Sequence, residues 1–151
     1  MSARLLIAGA FALGASAALA DDGPIVTYPV EGAAFEDVAF LVENAIVNRG
    51  LVIDSVSHVG DMLNRTAADV GASVELYKAA NVYLFCSATL SREMMEADIR
   101  NIGHCPYGVM VFETAAEPGV VQVGYRKYPD GAMQKVQGLL DEIAREAAEV
   151  D

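Results

Sequence analysis

The sequence predicts an α+β two-layer sandwich, a mostly antiparallel sheet of about five strands with helices packed on one face. Three observations carry this expectation. Segments of strand period interleave with segments of helical period. The last two strand segments are joined by a loop containing Glu117-Pro118-Gly119, as in a hairpin. Each longer helical segment carries a single apolar stripe, so it has one face to bury and one to leave in water.

In chain order, Ile25 to Tyr28 reads as a first strand stopped by Pro29, which lacks the N–H that a ladder needs. Phe35, Val38, Val42, Ala45 and Ile46 then recur at helical spacing, and Gly50 supplies a left-handed stop. Leu51 to His58 is β-branched enough for a second strand, and Asp61 opens a helix presenting Met62, Leu63, Thr66, Ala67 and Val70. Val82 to Cys86 is apolar on both faces and therefore reads as a central strand. Ser91 is a good N-cap for a short helix through Asp98 that carries Met94 and Met95. Tyr107 to Glu113 and Val120 to Arg126 make the hairpin, whose exposed edge offers a second copy of the chain a pairing surface. Asp130 caps a last helix with its stripe at Met133, Val136, Leu139, Leu140, Ile143 and Ala147.

Residues 1–20 have the form of a secretory signal peptide. Arg4 supplies the positive start, Leu5 to Leu19 is apolar or small, and Ala18-Leu19-Ala20 fits the cleavage rule. The expected organisation is a signal peptide at 1–20, a leader and first strand at 21–34, and a single domain at 35–151. A periplasmic location and no membrane span after cleavage follow. The net charge of −11 and the absence of a basic cluster argue against nucleic acid as a partner.

Several strings, taken in order, resemble those of the domain of unknown function (DUF) family 302. They are Arg49-Gly50-Leu51, Gly60-Asp61-Met62-Leu63-Asn64-Arg65-Thr66 and Tyr77-Lys78-Ala79-Ala80-Asn81-Val82, then Phe85-Cys86-Ser87-Ala88 and Asn101-Ile102-Gly103-His104-Cys105-Pro106-Tyr107. The resemblance implies an α+β fold, often dimeric and in many bacterial members exported. Cytoplasmic members carry Gly-Asn-Pro where this chain has Cys86-Ser87-Ala88, so the resemblance points to an exported, cysteine-containing branch.

Cys86 and Cys105 are the only cysteines, nineteen positions apart. That spacing is not the Cys-x-x-Cys of thioredoxin-like redox centres, nor is there a Cys-x-x-Cys-His for covalent haem. The two sulfurs meet only if the strand ending at Cys86 and the strand following Cys105 are antiparallel neighbours. Three uses stay open. One is a disulfide, natural for an even cysteine count in an exported chain. Another is a soft-metal site of Cys86, Cys105 and His104 with Met94, Met95 or Met110 nearby, suited to copper first, then to zinc or, through a Cys-Pro thiolate, to non-covalent haem. The last is thiol or sulfur-transfer chemistry at Cys105, for which the adjacent His104 points the wrong way on an extended segment and His58, at the end of the second strand, is the histidine that could approach.

No dinucleotide fingerprint, phosphate loop, nucleophile elbow or zinc-protease motif occurs. The expectation is a small exported binding or accessory domain rather than an enzyme, acting on a small ligand or a periplasmic partner protein. A thiol enzyme using Cys105, or an interaction module with a purely structural Cys86–Cys105 disulfide, are the alternatives.

Overall fold

A computed structural model describes residues 23–150. The expected signal peptide at 1–20 and the residue Asp151 lie outside the described residues. The elements in order are β1 (Ile25–Glu31), α1 (Phe35–Val47), β2 (Val52–His58), α2 (Val59–Thr66), β3 (Tyr77–Cys86) and α3 (Ala88–Ala97). A 3-10 turn (Ile99–His104), β4 (Tyr107–Thr114), β5 (Val120–Arg126) and α4 (Gln134–Ala147) complete the chain. The five strands form one sheet in the order β1-β5-β4-β3-β2, and every neighbouring pair is antiparallel.

The period of two decides which side chains meet the helices. Tyr83 and Phe85 of β3, Tyr107, Val109 and Val111 of β4, and Val121, Val123 and Tyr125 of β5 are buried. Helices α1 and α4 pack beside each other over this face, contributing Val38, Val42 and Ile46 from one and Val136, Leu140 and Ile143 from the other. The alternate residues of β3 and β4, among them Val82, Leu84, Met110 and Phe112, are only half-buried. Helix α2 abuts the β3 backbone, where a Cβ on Gly60 would lie 2.7 Å from the Ala80 nitrogen.

Several local expectations change with the topology. β1 does not stop at Pro29 but runs to Glu31, because it is an edge strand, where a residue without an N–H is tolerated. β1 also belongs to the same sheet as the rest of the domain, pairing with β5 from Ile25–Arg126 to Glu31–Val120. The hairpin offers no free edge, since β5 is covered by β1 and β4 by β3. Ser87, not Ser91, caps α3, its Oγ accepting from the Leu90 N–H at 3.4 Å. Asp130 does not cap α4, which starts at Gln134. Val70, expected on the apolar face of α2, lies beyond the helix and is 75% exposed.

The tightest approach in the sheet is between β1 and β5. A Cβ on Gly124 would sit 2.3 Å from the Val26 carbonyl oxygen and 2.8 Å from Thr27 Cγ2. Gly124→Ala is therefore expected to push β1 off the sheet edge and to cost about 1–3 kcal/mol. Denaturant unfolding, with amide exchange at Val26 and Tyr28, checks this; unchanged stability and protection contradict it.

Candidate functional site

The two cysteines are brought together by the connection between β3 and β4. β3 ends at Cys86, and Ser87 caps α3 immediately. α3 buries Met94 in the core, and Asn101 Nδ2 donates to the Met94 carbonyl at 2.8 Å, folding the 3-10 turn back against the helix. Asp98 caps that turn by accepting from the Arg100 N–H at 2.9 Å. The chain then re-enters the sheet through Cys105 and a cis Cys105–Pro106 peptide. Because Tyr107 pairs with Phe85, Cys105 emerges beside Cys86.

The sulfurs lie 3.4 Å apart and are unbonded, and both cysteines are half-buried. Cys105 Sγ has a second neighbour, Ser91 Oγ, at 3.4 Å. Ser91 in turn donates to the Tyr107 hydroxyl at 3.2 Å. One chain of polar hydrogens thus runs from Cys86 through Cys105 and Ser91 to Tyr107.

The electrostatics of the chain follow from its burial. Burial first, then the hydrogen bond to Cys105 and the repulsion from it, push the Cys86 thiol up to about 11, against a smaller opposing effect of the Tyr107 backbone N–H. Burial likewise pushes the Tyr107 phenol up to about 12, although its bond with Ser91 works the other way. Both groups therefore keep their protons at neutral pH.

His104 is next to Cys105 in sequence, but its ring lies edge-on to Tyr128 at 5.3 Å between centroids. Tyr128 also meets Tyr107 edge-on at 6.4 Å. Its backbone is pinned to α4, its N–H donating to Gln137 Oε1 at 2.8 Å and its carbonyl accepting from Gln134 Nε2 at 2.9 Å. Among the described residues, no three His, Cys, Asp or Glu side chains cluster so as to hold a metal ion. The soft donors brought together are thus the two sulfurs. Met94 is spent on the core, and Met110 sits across from Val82 in mid-strand.

His58 is not a base for either thiol. It pairs with Asn81, and its Nδ1 lies 2.8 Å from Asn81 Oδ1, five residues along β3 from Cys86 and so about 16 Å away at the strand rise. Beside the cysteine loop, Pro106, Tyr128 and Arg126 join Val82, Leu84, Gly108 and Met110 in lining a small groove.

Ser91 and Tyr107 are the residues that sequence reasoning missed. The signal was available for Ser91: with Ser87 as the cap, Ser91 falls on the same helix face as Leu90 and Met94, which turn toward the core. A polar residue on that face needs a partner.

The profile of "Domain of unknown function DUF302" matches residues 26–150. No curated protein matches the sequence. Among solved structures, the fold is similar to that of an uncharacterized conserved protein DUF302 from Bacillus stearothermophilus, with a TM-score of 0.58 at 13% identity, over 83% of this chain and 94% of that one. At that identity the likeness speaks for the fold alone, and it agrees with the α+β architecture described above. With nearly all of the described chain under the family profile, the protein belongs to the DUF302 family.

Proposed function

We propose that this protein is an exported accessory domain whose working group is the Cys86/Cys105 dithiol, closing to a disulfide in an oxidising compartment and serving a redox or sulfur-handling partner. The observation that carries the reading is the 3.4 Å separation of the two sulfurs across the end of an antiparallel strand pair. Bonding needs the sulfurs to close from 3.4 Å to about 2.05 Å. The signal-like residues 1–20 support an address in which such a bond persists. A soft-metal role would rest on the same two sulfurs. His104, engaged with Tyr128, does not complete a three-ligand set as placed.

The test is thiol counting by mass on purified mature protein, alkylated with and without prior reductant and with and without chelator. The expected result is two alkylations after reduction and none before, unaffected by chelator. Two free thiols in air-equilibrated protein, or protection released by chelator alone, would refute the dithiol–disulfide reading.

A further inference from the structure

We propose that the two thiols have unequal roles: Cys105 is the thiol that exchanges with an external disulfide, Ser91 positions it through the chain ending at Tyr107, and Cys86 is the thiol that closes the internal bond. This rests on the dithiol reading above.

The hydrogen-bond chain distinguishes the two sulfurs. Cys105 sits inside it, with Cys86 Sγ on one side and Ser91 Oγ on the other, each at 3.4 Å. Cys86 sits at its end. A hydroxyl hydrogen rotates to suit its neighbours. While Cys105 is a thiol, Ser91 donates to Tyr107 and offers its lone pairs to the Cys105 S–H. Once Cys105 has lost its proton, both hydroxyls turn: Tyr107 donates to Ser91, and Ser91 donates to the sulfur. The Cys86 S–H donates from the other side. A Cys105 thiolate thus has two hydrogen-bond donors already in place, Ser91 Oγ and Cys86 Sγ, each at 3.4 Å. The high affinity of Cys86 and Tyr107 for their own protons keeps both donors protonated at neutral pH.

The reaction balances with an external disulfide, R–S–S–R′, as the oxidant. Cys105 gives its proton to water and attacks one sulfur. The Cys105–S–S–R bond forms, the R–S–S–R′ bond breaks, and R′S⁻ leaves and takes up a proton. Bonding of Cys105 removes its charge and its hydrogen bond, both of which had held the Cys86 proton in place. Cys86 then releases that proton and attacks Cys105 Sγ, expelling RS⁻, which is protonated in turn. Two electrons pass from the dithiol to the external disulfide. Ser91 is the positioning residue throughout and forms no covalent bond.

Glutathione disulfide is the probe, and the readout is the rate of adduct formation by mass on otherwise full-length mature protein. Cys86→Ser is expected to trap a glutathione adduct on Cys105. Cys105→Ser is expected to react more slowly at Cys86 at neutral pH, because burial, the largest cause of the raised Cys86 value, persists when Cys105 is gone and Cys86 has no contact with Ser91. In the Cys86→Ser background, Ser91→Ala should slow trapping about fivefold, the loss of one hydrogen bond of ordinary strength. Ser91→Thr, which keeps the hydroxyl, should restore the rate, and Tyr107→Phe should slow it less than Ser91→Ala does. Trapping on Cys86 as fast as on Cys105 overturns the assignment of roles. An unchanged rate in Ser91→Ala, or no rescue by threonine, overturns the role of Ser91. Failure of the wild-type protein to lose both thiols in the same assay strikes the dithiol reading instead, since the single-cysteine rates still rank the two sulfurs.

Discussion

Phe85→Ala is expected to destabilise the domain by about 3–5 kcal/mol, the cost of deleting a fully buried aromatic ring. Phe85 has no exposed surface, lies on the interior strand β3, and pairs in register with Tyr107 of β4 and Ile53 of β2. A ring lost there leaves a void in the core between the sheet and the helices over it, which the surrounding elements cannot close without moving the register that pairs β3 with its neighbours. For a domain of ordinary stability, this is a large part of the total. Guanidinium unfolding monitored by circular dichroism checks it. A drop in midpoint with an unchanged slope gives the expected result, and a loss below about 1 kcal/mol would show that the site collapses freely. Because Cys86 is the next residue and Tyr107 carries the hydroxyl that meets Ser91, the same variant should also slow disulfide closure.

Closing the Cys86–Cys105 bond is expected to stabilise the folded protein by about 3 kcal/mol in the chain-entropy account, for a loop of about 20 residues. The pH dependence gives this prediction a second arm. In the reduced protein, the Cys86 thiol titrates at about 11, against its ordinary value of 9.0, so the folded state holds the proton more tightly than the unfolded chain. The stability linked to that proton is complete below pH 9 and is lost as pH rises toward 11. The oxidised protein has no thiol proton to lose, and its Tyr107 phenol is relieved of the part of its upward shift that comes from Cys105 and Cys86, which acts in the same direction. The gap between oxidised and reduced protein therefore widens across this window. Unfolding midpoints with and without reductant at neutral and alkaline pH measure it. A gap that stays constant or narrows contradicts the account.

How much of this was legible in the chain depends on the range of the forces involved. Every strand and helix had a local signal: the alternation of Val82 to Cys86, the stripe from Val136 to Ala147, and Gly50 at a positive φ of 73° after α1. These patterns come from side-chain periodicity and backbone sterics, which neighbouring residues express directly. The misplaced boundaries came from choices that nearby residues leave open. Ser87 and Ser91 are one helical turn apart and equally good caps by type. The competition was settled by which start buries Leu90 and Met94 against the core. Pro29 reads as a strand end until the strand is known to lie at the edge of the sheet.

The site divides along the same line. Periodicity identified a strand before Cys86 and another after Cys105, and it made their meeting conditional on antiparallel pairing. The pairing itself depends on long-range contacts. α3 and the 3-10 turn must carry the chain back so that Tyr107 lands opposite Phe85, and only then do the sulfurs come within 3.4 Å. His104 and His58 show the limit of proximity in sequence: one turns to Tyr128, and the other is held by Asn81 well away along β3. By itself, the sequence determined the kinds of element, the α+β class and the two sulfurs as the chemistry on offer, because these follow from residue type and local period. The tertiary structure alone decided that the sulfurs meet, that Ser91 and Tyr107 join them, and that the histidines do not. Such contacts depend on strand order and register, and those are set by burying the core as a whole.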